Sequence, residues 1–284
     1  MSTMAFDKEM YNSVSQVRIL PPLVDTRRML ELIHAQTTSL TELESFISYD
    51  SSLAANLLMT SNKSCYGLRG QVGTLSRILG VLGLGRAKWM CLVSLMMSWL
   101  GTERVISQAR REMLWKRSFV AAKVAVEIAR KRPWVNVEEA FLLGLIYDIG
   151  WQIMALRFNE QFEAIFETAE RKGVPAWWIE VCYGLSHAEI GRYLAVKRAF
   201  PESFKAVAAF HHFPERSDSF QTEVTLICLV DVLAHSRENP EAVNEDITLS
   251  RCRRLFISEE EWSGYQQSLE QIWREADLLW GLLR

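Results

Sequence analysis

Residues 142–151 read LLGLIYDIGW, and the fold turns on how this stretch is read. Six residues, five of them apolar, run into Asp148, and Ile149, Gly150 and Trp151 follow at once. Pro133 stops whatever precedes it, and Asn136 with Glu139 forms a variant capping box that opens a helix. The helix so begun is apolar on almost every side, as expected of an element at the centre of a helical bundle. A carboxylate in such surroundings needs a partner, because an isolated buried charge costs more than a fold can spare.

Helix signals continue outward in both directions, and alternating strand patterns are nearly absent. Ser39 with Glu42, Ser186 with Glu189 and Ser258 with Glu261 are further capping boxes. Asp50 is placed to cap a helix running to about residue 61, and Gly67, Gly70 and Gly73 mark a loop. Thr74 starts a helix that ends in the glycine-containing turn of residues 81–85, before the apolar run MCLVSLMMSWL at 90–100. A basic helix is predicted from about Glu103 to Lys131, with Leu114, Arg117, Ala121, Ala125 and Ile128 on its inward stripe. Its many lysines and arginines read as a solvated face, or as a surface for a phosphate-rich ligand. Pro175 and Pro201 open two more helices, the second ending at His211-His212, and another covers Glu223 to His235. In the last helix Trp262, Tyr265, Leu269, Ile272, Ala276, Leu279 and Leu283 form a three-four stripe, read as closing the protein's own bundle. A homodimer seam is the alternative for that stripe, and Trp177-Trp178 are read as core. The fold class is all-α.

The charge balance of 32 basic against 34 acidic residues argues against a non-specific polyanion binder, so nucleic acid is not an expected partner. The five cysteines form no C-x-x-C pair, which suits reduced thiols in a cytoplasm. The first twenty residues carry acids and no apolar core of a signal peptide, and the 90–100 run is too short to span a bilayer. A cytoplasmic protein without a membrane partner is expected.

The order of these features resembles the HDOD family, the non-catalytic relatives of HD-type phosphohydrolases. The similarity is carried by Ser48–Leu53 (SYDSSL), Asn62–Gly67 (NKSCYG) and Leu79–Leu84 (LGVLGL) in the first half. In the second half it is carried by Leu114–Ser118 (LWKRS), Glu138–Leu145 (EEAFLLGL), Tyr147–Gly150 (YDIG), His187–Gly191 (HAEIG), His211-His212 and Leu229–Asp231 (LVD). The resemblance implies a two-part helical bundle, an N-terminal helical subdomain packed on a degenerate HD-like helical domain. The expected boundaries are an extension at 1–19, subdomains at 20–101 and 102–238, and a C-terminal helical extension at 239–284.

In active HD enzymes metal ligands come from a histidine before the His-Asp pair, from that pair and from a late aspartate. The resemblance maps these onto Arg117, Tyr147, Asp148 and Asp231, while His187, His211 and His212 fall where a two-metal branch has extra ligands. Trp151 stands where a lysine often follows. An arginine is cationic at any relevant pH and has no lone pair to offer a metal. A degenerate site is therefore expected, with no cofactor and no metal. Were a metal bound, its ligands would come from Asp148, His187, His211, His212 and Asp231. Arg117 is expected to fill the old metal position and pair with Asp148, Asp231 or both. The function implied is a non-enzymatic regulatory module of bacterial signalling that binds other signalling proteins, with Tyr66, Gly67 and Arg69 as an interaction loop. The alternatives are a metal-dependent phosphohydrolase or phosphodiesterase acting on a nucleotide or cyclic dinucleotide, and a nucleotide sensor without chemistry.

Overall fold

The computed structural model describes residues 32, 37–49, 75–77, 79, 80, 83, 84, 87, 88, 91, 106–197, 200–238 and 244–283. All regular structure among them is helical, with no strand. The chain divides into two compact units, one of Met1–Val17 with Val105–Leu278 and one of Arg18–Arg104 with Leu279–Arg284.

In the second of these units, α1 (Leu40–Tyr49) begins at the capping box read from the sequence. Glu42 N–H donates to Ser39 Oγ at 3.1 Å, and Ser39 N–H donates to the Glu42 carboxylate at 2.9 Å. Leu43 and Ile47, one turn apart, are fully buried. The expected cap at Asp50, the loop at 67–73 with Tyr66, Gly67 and Arg69, and most of the 90–100 run lie outside the described residues.

The first unit carries α2 (Gln108–Arg130), α3 (Val137–Ile146), α4 (Ile149–Arg157), α5 (Asn159–Lys172) and the short α6 (Ala176–Glu180) with its 3-10 extension Val181–Tyr183. There follow α7 (His187–Lys197), α8 (Glu202–Phe210), a 3-10 turn Pro214–Arg216, α9 (Gln221–His235), α10 (Glu245–Arg254) and α11 (Glu259–Leu283), whose last residues belong to the other unit. α2 packs on α3 and α9, α7 packs on α4 and α8, and α6 lies on α5. Three further caps act at the expected places: Asn136 accepts from Glu139 N–H, Ser186 from Glu189 N–H, and Ser258 and Glu261 cap one another.

Three features differ from the sequence reading. α2 starts at Gln108, because Ser107 Oγ accepts from Arg110 N–H and caps the helix there. The apolar segment that opens at Val137 is two helices, broken by a turn at Tyr147-Asp148. Residues 139–157 are apolar enough for a membrane span, yet 89% of that window is buried inside the fold. Finally, several of the basic residues of α2 are paired. Arg110 binds Glu163 and Glu170, Lys116 binds Glu112 and Asp277, Lys123 binds Glu275, and Arg132 just beyond the helix binds Glu261. These four cations are neutralised by neighbouring carboxylates. The stripe of α11 is occupied within the chain, with Trp262, Tyr265, Ile272 and Ala276 buried together with Trp273.

Two glycines set the close contacts that position the centre. A Cβ at Gly144 would lie 2.7 Å from the Cα of Ala122, so the backbones of α2 and α3 touch. A Cβ at Gly150 would overlap the carbonyl oxygen of His187, so the start of α4 lies against the start of α7. Only a residue without a side chain permits that approach.

Candidate functional site

Six elements deliver side chains to one buried point of the first unit. The turn after α3 carries Asp148, α6 ends in Glu180, α7 opens with His187, α8 is followed by His211 and His212, and α9 carries Asp231 and His235. α2 contributes Arg117. His187 Nε2 lies 3.2 Å from His211 Nε2 and 3.1 Å from His212 Nε2. Asp148 Oδ1 lies 3.3 Å from His187 Nε2 and 3.6 Å from His211 Nε2. That oxygen is buried and makes no hydrogen bond. The three histidines and, separately, Asp148, Asp231 and His235 each bring their ligand atoms within 4.8 Å of one another.

The far side of each ring fixes the near side. His187 Nδ1 meets Glu180 Oε2 at 2.8 Å, and the same oxygen accepts the His187 backbone N–H at 2.8 Å. His211 Nδ1 meets the carbonyls of Val207 and Ala208 at 3.0 and 3.2 Å. His212 Nδ1 faces Asp231 Oδ2 at 3.4 Å. Carbonyls and carboxylates only accept, so these partners assign the proton to Nδ1 in each ring and leave Nε2 facing the centre. Trp151 stacks on His187 with ring centroids 4.3 Å apart, and Trp177 stacks on His212 at 4.5 Å.

Arg117 does not pair with either aspartate. Its Nε donates to Glu238 Oε1 at 3.1 Å, and its Nη2 binds Glu238 Oε2. The expected Arg117–Asp148 or Arg117–Asp231 pair is thus replaced by a two-pronged bond to Glu238, a residue just beyond α9. Asp231 is served instead by Tyr147, whose hydroxyl donates to Oδ1 at 2.8 Å, and by His235 Nδ1 at 2.9 Å from the same oxygen.

Burial and charge act on these groups in opposite senses. For His187 burial opposes protonation, but the Glu180 carboxylate and then Asp148 overcome it and raise the imidazole to about 10. For His211 burial and its neighbours His212 and His187 act together and lower it to about 3. Burial would raise Asp148 and Asp231; instead the histidines, His187 for the first and His235 for the second, hold both below the usual carboxylate range. The Tyr147 phenol is pushed well up by burial and by the Asp231 charge. At neutral pH the metal-free centre therefore holds a cationic His187 and a neutral His211.

Residues 20–214 match the family model of the HDOD domain. The chain belongs to the HDOD domain family. Solved structures of the same fold include an HDOD domain protein from Geobacter sulfurreducens, with a TM-score of 0.77 and 17% identity over 94% of this chain and 97% of that one. A candidate signal-transduction protein from Marinobacter aquaeolei VT8 gives 0.81 and 17% over 99% of this chain and 66% of that one. A candidate phosphohydrolase from Shewanella amazonensis SB2B gives 0.71 and 18% over 96% and 97%. An uncharacterized protein of Treponema pallidum is 21% identical over 74% of this chain, which spans 40% of that relative's length.

Within this HDOD chain, the residues singled out from the sequence, Arg117, Tyr147, Asp148, His187, His211, His212 and Asp231, are all brought to one centre, though Arg117 is bound by Glu238. Five contributors were not foreseen: Glu180, His235, Glu238 and the stacked Trp151 and Trp177. His235 had a legible signal, since it stands four residues after Asp231 on one helix face. Trp177 rests on His212, and Trp178 is half exposed, so the pair is not simple core. The donor set also suits a cation. Three ring nitrogens converge without protons of their own in the neutral form, and a carboxylate oxygen beside them has no hydrogen bond. His187, His211, His212 and Asp148 would hold such an ion, and it would supply the positive charge that Asp148 otherwise takes from His187.

Proposed function

We propose that this chain is a non-enzymatic regulatory module of bacterial signalling that acts through contacts with other proteins. The observation that carries the reading is the closure of the centre. His187 and His211 side chains have no solvent exposure, and those of Asp148 and Asp231 are 6% and 8% exposed. Phosphoester hydrolysis needs an open coordination position and room for a phosphate and a water. Here Trp151 and Trp177 lie over two of the rings, and the Tyr147 hydroxyl occupies an oxygen of Asp231.

The segment that closes the centre also faces outward. Trp177 and Glu180 on α6 touch His212 and His187, while Trp178, Val181 and Tyr183 on the same short segment are exposed. Phe213, packed edge-on against Trp177, is exposed as well. An apolar surface of this kind suits a protein partner better than a phosphorylated small molecule. A change at the histidines would reach that surface through one short segment.

The purified chain, supplied in turn with Mn2+, Fe2+, Zn2+ and Mg2+, should turn over no phosphomonoester, nucleotide or cyclic dinucleotide. Turnover that disappears in Asp148→Ala would establish the enzyme reading instead. In cells, Trp178→Asp should reproduce the transcript profile of a deletion strain. A wild-type profile in that variant would remove α6 as the output surface.

A further inference from the structure

We infer that the outer face of α6 and its 3-10 extension, with Phe213 beside it, docks an acidic amphipathic segment of a partner protein. Apolar side chains of that segment would lie on Trp178, Val181 and Phe213, and its carboxylates would meet Arg171, Lys172 and Arg216. The inference rests on the regulatory reading and deepens it by naming the chemistry of the partner.

The surface is held in place from behind. Gly173 and Gly184 turn the chain at either end of residues 174–183, both in the left-handed region with φ of 63° and 66°. Between them Pro175 opens α6, Ile179 is buried, and the buried Glu180 accepts the His187 backbone N–H. The Trp177 ring lies on His212 and meets Trp178 and Phe213 edge-on, with centroids 5.7 and 5.6 Å apart. Trp178 is left 50% exposed, Val181 57%, Tyr183 39% and Phe213 40%. Trp178 and Val181 stand three residues apart, on one side of the helical segment. Large apolar side chains scattered singly over a surface need no explanation, but four gathered on one short segment and its neighbour mark a contact site. A segment already ordered by the core loses little freedom when a partner binds.

Charge selects the occupant. Arg171 and Lys172 are exposed at the end of α5, immediately before this segment. The Arg216 guanidinium lies 4.5 Å from the centroid of the Phe213 ring. Among the described residues none of these three cations has a carboxylate partner, in contrast to the paired cations of α2. Glu180 is the one acid of residues 171–184, and it is turned inward onto His187. Beside Arg216, Glu215 is already held by Arg251. Asp218, exposed two residues beyond Arg216, is the one acid left to face the three cations. An apolar centre with a cationic rim is complementary to a segment that carries both carboxylates and apolar side chains. A plain polyanion would satisfy the rim and leave the aromatic centre uncovered.

The test is selection of a displayed library of random short peptides on the immobilised full chain, followed by titration of the enriched peptide, labelled with fluorescein, in solution. Enriched sequences should combine aspartate or glutamate with leucine or aromatic residues, and their binding should weaken as salt is raised. Trp178→Asp should weaken binding at least about 10-fold. Arg216→Glu should weaken it about 3- to 10-fold and flatten its salt dependence. Phe256→Asp, at an exposed phenylalanine elsewhere in the same unit, should bind as the wild type does. All three side chains are exposed, and an unchanged far-ultraviolet helical signal checks that the variants are folded. Enriched peptides that are basic or uncharged, binding that survives Trp178→Asp, the absence of any binder, or sedimentation showing that the chain pairs with itself through Trp178 would each overturn the inference. Phosphoester turnover would instead remove the regulatory reading and leave the peptide result in place, so the two fail separately.

Discussion

Asp148 and Asp231 are the same residue type, similarly buried, on two sides of one centre, and their surroundings differ in one respect. Asp231 is satisfied by the protein itself: Tyr147 donates to it, His235 flanks the same oxygen, and His212 faces the other. Asp148 has histidine rings beside it but no hydrogen bond to Oδ1. Equal burial therefore does not give two carboxylates equal partners. The Tyr147 side is closed by hydrogen bonds, while the histidine side keeps donors that point at one another.

The comparison breaks most sharply at the glycines. Gly150→Ala places a methyl into the His187 carbonyl and must drive α4 from α7, with an expected loss of about 3 kcal/mol in urea unfolding. It should also abolish the alkaline loss of stability that a cationic His187 produces. Gly144→Ala strains the α2–α3 contact at comparable cost but touches no histidine, so its folded fraction should keep that alkaline response. An equal alkaline response in both variants would mean that the Gly150 contact does not position His187.

Next in size is the response of the metal-free protein to pH. His187 is raised to about 10 from an ordinary 6.5, so its contribution to stability is full below 6.5 and is lost as pH rises toward 10. His211 is lowered to about 3, so its contribution is full above 6.5 and is lost as pH falls toward 3. The two lowered aspartates add to the loss on the acid side. Thermal melting in chelator should therefore peak near neutrality and decline in both directions. A melting temperature that keeps rising to pH 10 would show that His187 is not cationic in the metal-free fold.

Tyr147→Phe removes a single hydrogen bond to a buried carboxylate and should cost about 2 kcal/mol by urea unfolding. A cost near zero would show that the hydroxyl does not close the Asp231 side. Smallest is Arg274→Ala, which deletes a solvent-exposed pair with Glu270. Its melting temperature should match that of the wild type, because screened surface pairs add little.

Much of the helical framework was legible because its signals are local. The boxes at Ser39, Asn136, Ser186 and Ser258 act across three residues, and all four form the expected hydrogen bonds. The break at Tyr147-Asp148 was not legible, since an apolar run gives no sign of where packing will turn it. In the centre, the two aspartates and His187, His211 and His212 were found through the family order, and His235 was not. Glu180 stands seven residues before His187 on a different element, which no helical spacing connects. Glu238 stands 121 residues from Arg117, and nothing near either residue announces the pair.

Local sequence signals alone establish that the chain is helical, where several helices begin and which side chains carry charge into an apolar interior. Those properties depend on hydrogen bonds and periodicity within a turn or two of chain. Packing between helices settles which carboxylate holds Arg117, which aspartate has only histidine rings beside its buried oxygen and which ring nitrogen of each histidine faces its neighbours. Those choices rest on how α2, α4, α7, α8 and α9 pack, because a buried charge takes whatever partner the meeting of distant helices brings within reach.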